Sequence, residues 1–142
     1  MNYVLDTNVL VAGVRSPRGA SAEILRRVLT KQMQVVCSVP LFLEYEAVLL
    51  RPEQLLAAGV KPHEILNLLD VLAGVVQRVE IQFLWRPQLR DPNYDLVLEV
   101  AVNGQGLGQE VNILSFNQRD FLPQALKFGV AVLTPQQFFQ GA

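Results

Sequence analysis

Short apolar runs alternate with amphipathic segments along the chain, and that alternation predicts an α/β fold. Tyr3-Val4-Leu5 reads as a buried strand that ends at Asp6, and Arg15-Ser16-Pro17-Arg18-Gly19 as a loop, by its Pro and Gly. Ser21 to about Gln32 carries Ile24, Leu25, Val28 and Leu29 on one helical face, with Ser21 as its cap. Val35-Val36-Cys37 is a second buried strand. A helix follows from about Pro40 to Leu50, where Pro is well tolerated in the first turn. Glu53 to Ala58 is a short helical piece stopped by Gly59, and Pro62 to about Val76 is a helix striped by Ile65, Leu68, Leu69 and Leu72. Val79-Glu80-Ile81-Gln82-Phe83 alternates with the period of a strand. Beyond a loop from Trp85 to Pro92, Asn93 to Asn103 is helical and apolar on most sides, which predicts burial. Gly104 to Gln109 is a glycine-rich turn, Val111 to Leu114 a strand and Phe121 to Phe128 a short helix. Val130 to Leu133 is a last strand, and Pro135 to Phe139 closes as a helical turn.

Short apolar strands separated by helices predict a three-layer α/β/α arrangement with a central, mostly parallel sheet. The chain has 142 residues and no repeat, low-complexity tract or flexible linker, so the expectation is one domain over 1–142. In such sheets ligands bind outside the carboxyl ends of the strands. That rule singles out Asp6, Ser38 and the stretch from Ser115 to Asp120.

Composition changes this picture in two ways. Hydrophobic residues make up 51% of the chain and mean hydropathy is +0.27, more than one small core requires. An extra apolar face for a partner or a second copy is consistent with that surplus. Charge is nearly balanced, 12 Lys+Arg against 13 Asp+Glu, for a net of -1. A protein of this charge does not hold nucleic acid by bulk attraction, so any such contact needs a local basic rim or bound metal. Cys37 is the only cysteine, which excludes an internal disulfide, and it reads as a buried small hydrophobe. His63 lies on a polar helical stretch with no triad around it. No apolar stretch is long enough to span a membrane, and the opening Met-Asn-Tyr-Val-Leu-Asp has no basic region of the kind that starts a signal peptide. A cytoplasmic protein is expected.

The remaining candidate chemistry is acidic. Asp6 at a strand end is either a turn or cap residue or part of a site, because a carboxylate there needs a pairing, a hydrogen bond or a metal. Glu44 lies one turn after Leu41 and one before Val48, at the edge of the buried stripe, whereas Glu46 faces water. Pairing of Glu44 with Arg51 is the structural alternative. Asp91 and Asp95 bracket the start of the helix after Pro92, where the helix dipole alone favours acids. Asp95 and Glu99 share a face one turn apart; they repel one another, and a hard divalent cation would relieve that. Ser115, Asn117 and Asp120 follow a strand and are each compatible with simple turn chemistry.

Taken in order, these residues resemble the PIN-domain family. Val-Leu-Asp-Thr-Asn-Val-Leu at 4–10 resembles its opening signature, and Ser38 followed by Glu44 its second element. Arg90-Asp91-Pro92-Asn93-Tyr94-Asp95, with Leu98, Glu99 and Ala101, resembles the third. Ile113-Leu114-Ser115-Phe116-Asn117 with Asp120-Phe121 resembles the fourth, and Val132-Leu133-Thr134-Pro135 with Phe138 the usual end. The resemblance covers nearly the whole chain and is nearest to the bacterial VapC-like toxins of type II toxin–antitoxin pairs. It implies a central parallel sheet and an acidic pocket for Mg²⁺ or Mn²⁺, with Asp6, Glu44 and Asp95 as carboxylate ligands. Asn8 would brace Asp6 or the metal shell and Ser115 would support it, while Glu99 lies beside them and Asp91 is the weaker of the two acids around Pro92. Many relatives have an acid where this chain has Asn117. Either Asn117 supplies a carbonyl oxygen there or Asp120, three residues on, takes the acid's place as a catalytic and metal-binding group.

The activity so implied is metal-assisted hydrolysis of RNA by an endoribonuclease, the toxin of a pair, with an antitoxin protein covering the cleft and a homodimer as the assembly. Arg15, Arg18, Arg90 and Arg119 lie in loops where they can meet RNA phosphates. The main alternative is a catalytically attenuated domain of the same fold that binds RNA or protein, for which Asn117 is the warrant. A receiver-like enzyme would need a paired acidic cluster after the first strand, and a nucleotide-binding protein a glycine-rich phosphate loop; the chain has neither. Leu55, Leu56, Ile65, Leu68, Leu69 and Leu72 on the two middle helices suit either an interface or the core.

Overall fold

The computed structural model describes residues 1–82, 92–106 and 108–141. Its first strand, β1 (Asn2–Leu5), leads through Asp6 into a helix, α1 (Thr7–Arg15), and then α2 (Ala20–Leu29). β2 (Val36–Cys37) is followed by α3 (Val39–Leu49), α4 (Pro52–Ala58) and α5 (Pro62–Val75), then by β3 (Gln77–Arg78). α6 (Pro92–Gln105) precedes β4 (Val111–Leu114). A 3₁₀ turn at Gln118–Phe121, α7 (Gln124–Lys127), β5 (Val132–Leu133) and α8 (Pro135–Gln140) complete the described chain.

All strand pairings are parallel. β4 lies between β1 and β5, β2 pairs with β3, and a single bridge from Tyr3 to Val35 links the two groups. Neighbouring residues of a strand face opposite sides of a sheet, so a strand buried at every position must be covered on both. Val111, Asn112, Ile113 and Leu114 of β4 are all buried, as are Val4 and Leu5 of β1. The expected central parallel sheet between helical layers is thereby realised. α6 packs directly on β1, β2 and β4, and its Val97, Leu98, Val100 and Ala101 are all buried, as its all-round apolar sequence predicts.

Several elements depart from the sequence expectation. α1 has no counterpart in it, because the run Val9-Leu10-Val11-Ala12 is too continuously apolar to display a helical stripe. The helix arises where the chain leaves the sheet edge, and Val9 and Leu10 bury against the core. Ser21 does not cap α2. Gly19 holds the cap position, and Ser21 is pressed into the crossing with α1, where a Cβ at Gly13 would stand 3.2 Å from its carbonyl oxygen. α2 stops at Leu29, just before Lys31 takes up a left-handed conformation, short of Gln32. The strand expected over Val79–Phe83 lies earlier, at Gln77–Arg78, and Phe83 falls outside the described residues. Its partner β2 has only two residues before Ser38 opens α3, so the ladder ends with the Val79 amide on the Cys37 carbonyl.

α6 runs through the expected turn at Gly104. A Cβ there would meet Val111 Cγ2 at 2.9 Å, so glycine allows the helix end to lie close on β4. The helix expected over Phe121–Phe128 divides into the 3₁₀ turn and α7, and β5 is confined to Val132–Leu133. The loop expected over Trp85–Pro92 lies outside the described residues up to Asp91. Of the apolar set on the middle helices, Ile65, Leu69 and Leu72 are core, Leu55 and Leu68 pack partly against it, and Leu56 is exposed. No described helix is long and apolar enough to cross a membrane.

One buried polar contact ties the sheet to α3. The Tyr45 hydroxyl donates to the Leu5 carbonyl, with the ring fully enclosed in the core. Removing one partner of a buried hydrogen bond exposes the desolvation cost of the other. Tyr45→Phe is therefore expected to lower stability by about 1–2 kcal/mol, read as a fall in the urea midpoint. An unchanged midpoint would mean that the Leu5 carbonyl is satisfied without Tyr45.

Candidate active site

The register of β1 on β4 determines the site. Leu5 stands opposite Leu114, so the residues that follow, Asp6 and Ser115, leave the sheet side by side at its carboxyl end. The Asp6 amide donates to the Leu114 carbonyl at 2.9 Å. Asp6 also occupies the cap position of α1, yet its side chain does not cap the helix. Its Oδ2 instead accepts from the Ser115 hydroxyl at 2.6 Å. The fully buried Ser115 Oγ in turn accepts from the Asn117 amide at 2.9 Å and, at the limit of a hydrogen bond, from Asn8 Nδ2 at 3.5 Å. Asn8 Oδ1 accepts from the Phe116 amide, also at 3.5 Å. Ser115 thus holds Asp6 directly, and Asn8 reaches it only through Ser115.

Glu44 approaches from α3. Ser38 caps that helix, accepting from the Leu41 amide at 3.2 Å, and the inward stripe of Leu41, Tyr45 and Leu49 sets its rotation. That rotation leaves Glu44 half-buried and Glu46 exposed, as their places on the helical turn predict. Glu44 Oε2 accepts from the Thr7 hydroxyl at 2.8 Å. From α6, Tyr94 stacks edge-on against Phe121 with ring centroids 5.1 Å apart, and its hydroxyl accepts from Asn117 Nδ2 at 2.6 Å.

Asp6, Thr7, Asn8, Val11, Glu44, Val48, Arg51, Asn93, Tyr94 and Asn117 line a cleft of about 220 Å³. The structure therefore gathers Asp6, Glu44, Asn8 and Asn117, with Ser115 beneath them. Asp95, next to Tyr94, and Glu99, one turn further along α6, are buried and do not line the cleft. Asp120 is exposed on the 3₁₀ turn, also outside the lining, although its charge is felt at Asp6 and Tyr94. Asp91 and Arg90 lie outside the described residues. Thr7, Asn93, Tyr94 and Arg51 border the site without having been singled out as site residues. Thr7, Asn93 and Tyr94 sit inside the two motifs that carry the acids, and Arg51 follows closely on the helix that carries Glu44, so adjacency was the available signal.

The Asp6 carboxyl is pushed up to about 6. Burial is the main cause, and the charges of Glu44 and Asp120 add to it, while the Ser115 hydroxyl and the Thr7 amide pull the other way. A carboxylate held in unfavourable surroundings beside a second one is suited to a cation. Asp6, Glu44 and Asn117 present only hard oxygen donors, which match Mg²⁺ or Mn²⁺. Among the described residues, no three acidic, histidine or cysteine side chains form a closed metal cage. The fit is that of an ion held by one or two carboxylates with water completing its shell.

The same shift has a consequence for stability. An acid whose folded value is raised from 3.8 to about 6 leaves the fold most stable at low pH and less stable as pH rises through about 6. Metal-free Asp6→Asn is expected to unfold at higher denaturant than wild type at pH 7.5, by about 1–3 kcal/mol. The difference should shrink towards pH 5, where Asp6 itself is neutral. Equal midpoints for the two proteins at pH 7.5 would show that burial of Asp6 is compensated elsewhere.

Residues 2–107 match the sequence model of a family described as PIN domain. Among solved structures, the chain is similar to VapBC2 from Rickettsia felis bound to a DNA fragment from their promoter. The TM-score is 0.62 at 14% identity, over 94% of this chain and 98% of that one. It is also similar to FitAB bound to an IR36 DNA fragment, with a TM-score of 0.53 at 16% identity, over 94% of each chain. Both likenesses are likenesses of fold. No curated protein matches the sequence.

Proposed function

Because the chain belongs to the PIN-domain family, we propose that it is a metal-dependent endoribonuclease acting as the toxin of a toxin–antitoxin pair. The observation that carries this reading is the cleft at the carboxyl ends of β1 and β4, where the buried Asp6 carboxylate stands with Glu44 and has no described cation paired to it. The fold likeness to VapBC2 and FitAB supports the toxin assignment, and an antitoxin protein is the partner proposed with it. A homodimer in the cytoplasm is part of the same reading.

Asp6 and Glu44 would hold Mg²⁺ or Mn²⁺ with their carboxylates and Asn117 with its carbonyl oxygen. Asp95, on the helix that brings Asn93 and Tyr94 to the cleft, is proposed as the third acid. The bound ion would supply a more acidic water and offset charge on the phosphate. The chain's own residues keep the donors in place. Ser115 fixes one oxygen of Asp6, and Thr7 fixes one of Glu44. Tyr94 takes up an Asn117 N–H, which leaves Asn117 Oδ1 as the acceptor directed elsewhere. Such supporting contacts commonly change metal affinity or activity by about 10–100-fold.

Asn117 also favours a second reading, a catalytically attenuated domain that binds RNA or protein. A neutral amide where relatives have an acid removes one negative charge from the cleft.

Cleavage of single-stranded and structured RNA with Mg²⁺ or Mn²⁺ separates the two. Wild type is expected to cleave. Asp6→Asn, Glu44→Gln and Asp95→Asn should each lose at least about 100-fold, and Ser115→Ala about 10–100-fold. Asp120→Asn should stay within a few-fold of wild type, given its place outside the cleft lining. A folded wild type inert with both metals on every RNA tried would establish the attenuated reading.

Restoring the acid is the complementary variant. Asn117→Asp places a third carboxylate in the cleft, still within reach of the Tyr94 hydroxyl. Half-maximal cleavage should then need several-fold less Mn²⁺. An unchanged metal requirement would mean that position 117 does not meet the ion.

A further inference from the structure

We infer that Gln118 is a positioning residue for the cleft: its amide clamps the turn that carries Asn117 to β5 and to the cap of α8, so that the C-terminal helix sets where the Asn117 donor stands. The inference rests on the nuclease reading above, in which Asn117 offers its carbonyl oxygen to the ion.

The turn over residues 116–120 leaves the sheet between two buried anchors, Ser115 and Phe121. Phe116, Asn117, Arg119 and Asp120 are exposed, whereas Gln118 is half-buried. Asn117 has φ -107° and ψ 57°, outside both the helical and the extended regions, so no regular ladder fixes its backbone. Its carbonyl accepts from the Asp120 amide at 3.1 Å, a bond internal to the turn. Bonds from outside must therefore place it. On one side these come from the Ser115 hydroxyl, which takes the Asn117 amide, and from Tyr94, which takes its side chain. On the other side they come from Gln118.

Gln118 Nε2 donates to the Val132 carbonyl at 2.8 Å and to Gln137 Oε1 at 2.8 Å. A primary amide carries two N–H groups, so both bonds can be made together. The Ile113 and Ser115 amides of the neighbouring chain segment take the carbonyls of Ala131 and Leu133. Successive carbonyls along a strand point in opposite directions, so that of Val132 is turned away from β4 and is left over by the ladder with it. Gln118 meets that acceptor. Gln137 Oε1 also accepts from the Thr134 amide at 3.0 Å, and Thr134 Oγ1 accepts from the Gln137 amide at 3.1 Å, the reciprocal cap of α8. The helix is itself seated on the body of the protein. Phe138 stands edge-on to Tyr3 of β1 with ring centroids 5.3 Å apart, and the Arg27 guanidinium lies 4.8 Å over the Phe139 ring. Contacts thus run from Tyr3 and Arg27 through α8 and Gln137 to Gln118, one planar peptide from Asn117.

The test is Mn²⁺ binding, read from the electron paramagnetic resonance of the free ion, together with NMR exchange of the Asn117 amide with water in the metal-free protein. Gln118→Met keeps the length of the side chain and removes both N–H donors. It should weaken Mn²⁺ binding by about threefold to tenfold and speed Asn117 exchange by a similar factor, the worth of one or two hydrogen bonds. Its thermal midpoint should fall by no more than about 4 °C, because no core contact is lost. Gln137→Met removes the shared acceptor and should act in the same direction. Gln137→Glu keeps that acceptor and the cap, so it should match Gln136→Glu, which adds the same charge at an exposed position of α8. In an Asn117→Ala background, Gln118→Met should change Mn²⁺ binding no further. An equal loss in both backgrounds, or unchanged binding and exchange in Gln118→Met, overturns the positioning role and leaves the nuclease reading intact. Gln137→Met behaving as wild type overturns the part assigned to α8. A wild type that binds no Mn²⁺ overturns the nuclease reading, whereas faster Asn117 exchange in Gln118→Met would still establish the clamp.

Discussion

The structure depends on the parallel pairing of β1 with β4 in a single register. Leu5 opposite Leu114 places Asp6 against Ser115, and the contacts of Asn117 and Tyr94 follow from that pair. Ser115 anchors Asn117 through its amide, Asn117 reaches Tyr94, and Tyr94 is seated on Phe121. Side chains alternate with period two along a strand, so a slip of one residue would turn the apolar residues of β4 off their present faces and separate the carboxylate from its hydroxyl. Full burial of β4 on both sides makes such a slip prohibitive. The precision of the site therefore derives from the hydrophobic core beneath it.

The core also explains why Asp6 is under stress. A carboxylate at the end of a buried strand loses water, and Glu44 and Asp120 add like charge. The Ser115 hydroxyl donates to Asp6 and the Thr7 hydroxyl to Glu44, which fixes one oxygen of each acid. Burial of Asp6 is therefore a cost to stability at neutral pH that the packing of the sheet imposes.

The chain's balance of charge is local in origin. With 12 basic and 13 acidic residues it has no general affinity for a polyanion. What it has is a cleft wall that is acidic at Glu44 and apolar at Val48 on α3 and basic at Arg51, where α4 begins. Asn117 lowers the negative charge at one end of the cleft and Arg51 supplies positive charge at the other. Both make the cleft less repellent to a phosphate backbone than the acids alone would make it.

Much of this was legible in the sequence. Strand-forming runs at Tyr3–Leu5, Val35–Cys37 and Val111–Leu114, the helices after Ser38, Pro62 and Pro92, and the parallel α/β class all follow from apolar periodicity and from Pro and Gly placement. Asp6 at a strand end and Glu44 at the rim of a helical stripe followed from the same two periods, as did the contrast with Glu46. Other features needed the third dimension. α1 was hidden because a continuously apolar segment looks alike in a strand and in a helix, and only its position beside the sheet decides. The strand after α5 shifted because its extent was set by a two-residue partner, and Ser21 lost its cap to Gly19 because α1 and α2 press together there. Local patterning thus determined which residues are strands, helices and candidate acids. Only tertiary structure decided that Asn117 rather than Asp120 lines the cleft, that Tyr94 and Thr7 hold its donors, and that Arg51 shares its wall. Those facts depend on which chain ends the sheet register brings together, and sequence separation carries no record of them.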